Sequence, residues 1–298
     1  MKDIYFEASV YKPTIRKKIS RFVTHWLTEL APALSLKLAT KILGNPFSRR
    51  VYEMRTMVQP SVVWVPTSLG DVCLQKFQLS TSVDPQHIFL CHGWGDSSTR
   101  FTQLIDHLLE AGFTVWSLDQ IGHGKSKGNA SHLYAFIEGS QNALHYMESI
   151  NATPQAVIGH SMGALAVINL PSAMLKGKKI ILISAPSQYF ENMYDAVTGV
   201  GIAKAMLTNL LEGVSKAYNI RWQELALNEN LAKVDKSFLF MHDTTDPTCA
   251  YAATKTLLED VQHEFFTTNN LGHIKLLKDS ALHAKIVEFS SASMWENR

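Results

Sequence analysis

The sequence predicts an α/β fold: a mostly parallel twisted sheet with helices on both faces, a small helical cap and an N-terminal helical arm. Three observations carry that expectation. From about residue 57 onward, short apolar runs rich in Val, Ile and Phe alternate with longer stretches of helical periodicity, the pattern of a sheet buried on both sides. The pentapeptide Gly159-His160-Ser161-Met162-Gly163 joins one such run, Gln155–Ile158, to a helix start, Ala164–Ile168. Between Ser184 and Ser237 the rhythm is broken by a purely helical stretch.

In chain order, the arm comes first. Ile15, Ile19, Phe22, Val23, Trp26, Leu27 and Leu30 fall at helical spacing, with Arg16, Lys17, Lys18 and Arg21 near the start. Pro13 suits a first helical turn, Pro32 ends or kinks this helix, and a second helix runs from Pro32 to about Leu43, stopped by Gly44. The apolar stripe is expected to pack on the body of the protein or on a second subunit, as in a homodimer. Peripheral membrane contact through residues 13–43 is the weaker alternative, because the charges gather at one end instead of along a whole face. Residues 1–50 are thus set apart as the arm, and residues 51–298 as the α/β domain.

Within that domain, Val62–Val65 and Val72–Phe77 read as a hairpin about the turn Ser68-Leu69-Gly70-Asp71. Strands follow at His87–Cys91, Phe113–Leu118, Gln155–Ile158, Lys179–Ser184, Ser237–Met241 and His263–Thr267. Helices are expected at Thr99–Ala111, His132–Ile150 and about Ile274–Ser290. Right-handed crossovers in such a sheet gather ligands at the carboxyl ends of the strands. The cap, about residues 187–234, leaves the sheet there. Ile202, Met206, Leu210, Val214 and Tyr218 keep a four-residue step, and Asn219 is placed to cap a further helix bearing Trp222 and Leu225. His92, Met206 and Leu210 are candidates for a substrate pocket, although each taken alone is equally at home in ordinary core.

Composition narrows the function classes. The 298 residues are 46% hydrophobic and 18% charged, with a net charge of +2, so nothing global argues for nucleic acid. The odd set Cys73, Cys91 and Cys249 lacks metal or C-x-x-C spacing and fits reduced thiols better than a disulfide framework. The first residues do not read as a signal peptide, and no apolar run is long enough for a transmembrane span. The expectation is a cytoplasmic protein, peripheral at the inner membrane surface if the arm binds lipid.

The chemistry resides in residues after the strands. A serine on a sharp strand-to-helix turn needs small neighbours, which Gly159 and Gly163 supply, and the turn lifts its hydroxyl above the sheet edge. A hydroxyl needs a base to become nucleophilic, and the base needs an acid to orient it. Asp246 follows the strand Ser237–Met241 and His273 follows His263–Thr267, so the order is Ser161, Asp246, His273. Asp243 is a nearby alternative acid. The loop His92-Gly93-Trp94-Gly95 passes close to the turn, which makes the backbone N–H groups of Trp94 and Met162 candidates for an oxyanion hole. Gly124-Lys125-Ser126 is no phosphate-binding loop, since Asp119 stands where the first glycine belongs. His242 has no partner at metal-ligand spacing, and neither a metal nor a cofactor is expected.

With these residues in place, the chain resembles the α/β-hydrolase superfamily, in its serine esterase, monoglyceride-lipase-like and S33-aminopeptidase-like branch. The resemblance rests on His92–Gly95, Asp119 with Gly122–Ser126, Gly159–Gly163, Asp246 and Gly272-His273, and leaves out the arm. It implies a serine hydrolase cleaving small acyl esters through an acyl-enzyme. A thioesterase or acyltransferase on the same triad is the alternative chemistry, and a binding protein that kept the fold without the activity is the alternative class.

Overall fold

The computed structural model describes residues 14–46, 53–79 and 86–292. Eight strands form one sheet: β1 (Ser61–Thr67), β2 (Gly70–Phe77), β3 (His87–Cys91), β4 (Thr114–Asp119), β5 (Pro154–His160), β6 (Lys179–Ile183), β7 (Phe238–Asp243) and β8 (Glu264–Thr268). Their order across the sheet is β1-β2-β4-β3-β5-β6-β7-β8. The β1–β2 hairpin and the β2–β4 pair are antiparallel, and every later pair is parallel. All eight strands fall where the apolar runs predict them, β3 to the residue.

Why the parallel strands read as unbroken apolar runs is visible in their packing. Phe89, Val157, Leu182 and Phe240 point to one face, where they meet α4 (Leu133–Ser149) and α5 (Met162–Ile168). Ile88, Leu90, Ile158, Ile183 and Met241 point to the other, against α3 (Thr102–Glu110) and α11 (Ser280–Ser291). Burial on both sides leaves no polar face to alternate with. The predicted C-terminal helix is two pieces. Gly272–Lys275 forms a single turn, and Asp279 restarts the chain as N-cap of α11, its carboxylate accepting from the Leu282 N–H at 2.8 Å.

The interval between β6 and β7 holds α7 (Tyr189–Val200), α8 (Lys204–Tyr218) and two 3-10 turns, the first at Trp222–Leu225. Asn219 does not start a helix as expected. It takes φ 53° and ends α8 in the left-handed conformation that asparagine tolerates.

The arm forms α1 (Ile15–Leu30) and α2 (Pro32–Leu43). Thr14 caps α1, and Pro13, expected in its first turn, lies outside the described residues. Both helices pack on the cap. The Thr24 hydroxyl accepts from the Ala203 N–H at 2.9 Å, Arg21 donates to Thr198 O at 3.0 Å, and Asn209 donates to Pro32 O at 2.9 Å. Leu36 seats against Gly213, where a Cβ would meet its methyl carbon at 2.9 Å. One expectation fails here. The apolar stripe of α1 does not pack on the body: Ile15, Ile19, Phe22, Val23, Trp26 and Leu30 are all exposed, while Lys17, Ser20, Thr24, Leu27 and Thr28 face inward. Periodicity identifies a stripe, but which side of a helix meets the body also depends on hydrogen-bonding partners, and here the threonines found them.

Candidate active site

Ser161 sits at φ 54°, ψ −123°, a strained backbone state that only a constrained turn maintains. Its N–H donates to Ile183 O on β6 at 2.9 Å, and its carbonyl accepts the first helical bonds of α5. Both flanking glycines are sterically required. A Cβ on Gly159 would lie 2.6 Å from Ala164 Cα, and one on Gly163 would collide with the carbonyls of Cys91 and His92. The hydroxyl is thereby fixed at the carboxyl end of β5, next to the loop after β3. Gly93 allows that approach, since a Cβ there would meet Ser161 Cβ at 2.9 Å.

The structure brings together the three residues the sequence singles out. His273 Nδ1 lies 2.8 Å from Asp246 Oδ2, and its Nε2 lies 3.0 Å from Ser161 Oγ. With Nδ1–H donating to the carboxylate, Nε2 is left to accept from the hydroxyl. The other carboxylate oxygen accepts from the N–H groups of Thr248 and Cys249 at 2.8 and 2.9 Å. Burial pushes the Asp246 carboxyl up, but hydrogen bonds from His242 and His273 outweigh it and hold it well below the ordinary carboxylate range. Asp243 faces elsewhere. It accepts from Thr245, from the Thr268 hydroxyl and from the Leu271 N–H, and so shapes the loop that carries His273.

Three other histidines tie the site loops together. His92 donates from Nδ1 to Gly93 O at 2.7 Å and accepts at Nε2 from the Gln120 N–H at 3.0 Å. His123 donates to Ile121 O and accepts from the Gly95 N–H at 3.0 Å, closing the link between the loops after β3 and β4 in the other direction. His160 donates from Nε2 to the His273 carbonyl at 3.0 Å, joining the Ser161 turn to the His273 loop. Burial, joined at His160 by the neighbouring His273, holds the pKa values of His92 and His160 down, so both rings are neutral. Asp119 anchors the same region by accepting from the Ser98 and Lys125 N–H groups.

A cleft of about 470 Å³, part of it open to solvent, lies at Ser161, lined by Trp94, Met162, Tyr189, Met193, Thr248 and Cys249 among others. A second chamber of about 550 Å³ shares Trp94, Tyr189 and Met193 with it and continues toward the arm, past Leu210 to Thr40, Leu43 and Gly44. Of the three expected pocket residues, only Leu210 lines either space. His92 is fully buried as a loop clasp, and Met206 is fully buried in the cap core. Tyr189 and Met193 lie far from every motif in the chain and no pattern in the sequence marks them, while Cys249, three residues past Asp246, reads in the sequence only as a reduced thiol.

Donor atoms of Asp246, Cys249 and His273 lie within 4.8 Å of one another, a spacing a metal ion could use. The chemistry of the set does not favour it. Both carboxylate oxygens already accept hydrogen bonds, and burial together with the Asp246 charge pushes the Cys249 thiol far above its ordinary pKa.

Comparison with known proteins agrees with the fold. The family model described as serine aminopeptidase, S33, matches residues 84–225, which include the Ser161 turn but neither Asp246 nor His273. A monoacylglycerol lipase of Mycolicibacterium smegmatis is 29% identical over 137 residues, 44% of this chain and 48% of the relative. Human monoglyceride lipase is 27% identical over 150 residues, 49% of each chain. The chain thus spans about half the length of the curated relatives it matches. The solved structure of the Pyrococcus furiosus esterase Pf2001 superposes with a TM-score of 0.61 over 81% of this chain and 97% of that one, at 17% identity, a likeness of fold. With the strand order, the strained serine turn and these matches together, the chain has the α/β-hydrolase fold and is similar in sequence to monoglyceride lipases.

Proposed function

We propose that this protein hydrolyses carboxylic esters of apolar acyl groups through a covalent acyl-enzyme. The observation that carries the reading is the single imidazole, His273, within hydrogen-bond reach of both Ser161 Oγ and Asp246 Oδ2. Ser161 attacks the ester carbonyl as His273 Nε2 takes the hydroxyl proton. Asp246 holds the ring in the required tautomer and stabilises the imidazolium. The tetrahedral oxyanion is received by the N–H groups of Met162, at the start of α5, and of Trp94. His273 then protonates the leaving alcohol, and water, activated by the same imidazole, releases the acid. The cleft at Ser161 and the chamber beyond it provide an apolar berth for the acyl chain. Relatives named monoglyceride lipase make a monoacylglycerol the first natural ester to try.

A fluorophosphonate probe tests the reading. It is expected to label the folded wild type and not Ser161→Ala, whose turnover of p-nitrophenyl esters falls by about 10⁴–10⁶. A folded wild type that takes no label overturns the hydrolase reading. Faster turnover of acyl-CoA than of any ester in a chain-length series moves the substrate from ester to thioester.

A further inference from the structure

We propose that the outer face of α1 docks the protein on an anionic lipid membrane surface. Six large apolar side chains stand on that face: Ile15 and Leu30 are each 78% exposed, Phe22 65%, Ile19 58%, Val23 55% and Trp26 46%. At about 100° per residue they form one stripe along the helix. Soluble surfaces rarely carry so continuous an apolar strip without a partner for it.

The charges around the stripe identify that partner. On the same helical projection, Arg16 borders it on one side and Lys18 lies on the other, just beyond Glu29, where long basic side chains can lay their stems on apolar material and raise their charges to a headgroup. Residues 14–46 carry Arg16, Lys17, Lys18, Arg21, Lys37 and Lys41 against one acid, Glu29. Residues 14–46 therefore hold six of the chain's 28 basic residues and one of its 26 acidic ones, which leaves the rest of the molecule net negative. Such a bias favours a negatively charged surface. A second copy of the same face would bring the same cations with a single glutamate to meet them.

The helix is built to lie flat. Its sixteen residues extend about 24 Å, and its other side is committed to the cap through Thr24, Leu27 and Thr28. Among the described residues no helix is long and apolar enough to cross a membrane. Moreover α2, which continues from α1, and its C-cap Gly44 contribute Thr40, Leu43 and Gly44 to the chamber that shares Trp94, Tyr189 and Met193 with the Ser161 cleft. A bilayer held against α1 therefore lies beside the element that walls the apolar interior.

Flotation of the full chain with phosphatidylcholine vesicles, with and without phosphatidylglycerol, at low and high salt, tests the proposal. The wild type is expected to float with anionic vesicles at low salt and to bind at least about tenfold less to neutral ones. The Phe22→Ser/Trp26→Ser variant should lose at least about tenfold in partitioning while keeping the wild-type circular dichroism and melting temperature. Arg16→Gln/Lys18→Gln should lose only the salt-sensitive part. A wild type that stays with the soluble fraction at low salt overturns the proposal, as does equal flotation of wild type and the Phe22/Trp26 variant. So does a dimer in light scattering that the same variant dissociates without any vesicle binding, because the stripe then belongs to a second copy. None of these readouts depends on ester hydrolysis.

Discussion

The rim of the sheet and the N-terminal arm handle polarity in opposite ways. At the rim, His92, His123, His160, Asp119 and Asp246 are buried, and their hydrogen bonds to loop backbone fix three loops about one serine. In α1 the small polar side chains Ser20, Thr24 and Thr28 point inward with Leu27, six large apolar ones point out, and the hydroxyls of Thr24 and Thr28 make the internal polar contacts. Burying a polar group is costly unless it is paired. In the first region that cost holds Ser161, His273 and Asp246 in register. In the second it attaches a helix whose better face is left for something else. Burial alone therefore does not reveal which side of an amphipathic element matters for function.

The largest expected effect tests the rim. Asp246→Asn should lower kcat by about 10³–10⁴, since an amide favours the wrong imidazole tautomer, with little change in the fold. Steady-state kinetics beside circular dichroism checks it, and an undiminished kcat would show that His273 needs no buried carboxylate.

Acid should loosen the rim before any carboxylate titrates. The folded-state pKa values of His92 and His160 lie below their ordinary value, so the unfolded chain binds more protons than the folded one as pH falls below about 6.5. Stability is fully present above that pH and declines beneath it, by up to about 1.4 kcal/mol per pH unit for each ring. Asp246, held low, adds its own loss only as pH falls below about 4. Denaturant titrations between pH 7 and 5 should show this slope, reduced in His160→Gln, which keeps a donor for the His273 carbonyl but no titrating ring.

The smallest effect sharpens the arm. Thr28 and Ser35 share a buried hydroxyl–hydroxyl bond of 2.8 Å. Thr28→Val should cost about 1–2 kcal/mol by leaving Ser35 unpaired, whereas Phe22→Ser on the outer face should change stability in water by less than about 0.5 kcal/mol. Chemical denaturation of the two variants decides it. Finding the apolar substitution the more damaging of the two would mean that the stripe is internal after all.

Much of the rim was legible because its signals are local. A serine between two glycines demands a tight turn, and strands buried on both faces leave apolar runs whose ends mark where Asp246 and His273 must fall. Asp246 was preferred to Asp243 from its place after β7, and the hydrogen bonds supply the physical reason, since both lie in one loop and only their partners differ. Most of the cavity wall was illegible, Leu210 being the one expected pocket residue that lines it. Tyr189 and Met193 come from the first helix of the cap and Leu43 from the arm, and pairwise packing across such distances leaves no periodic trace. Asn219 had the right residue type for either end of a helix, and its positive φ decided the matter. The stripe of α1 was plain, but its direction was not.

The backbone of Ser161 has a consequence for anyone who improves this protein by heat selection. Its φ of 54° is one that glycine adopts without penalty and serine does not. Thermal survival therefore rewards replacement of the very side chain on which the proposed hydrolysis depends, and a library ranked on melting alone would enrich molecules without that hydroxyl.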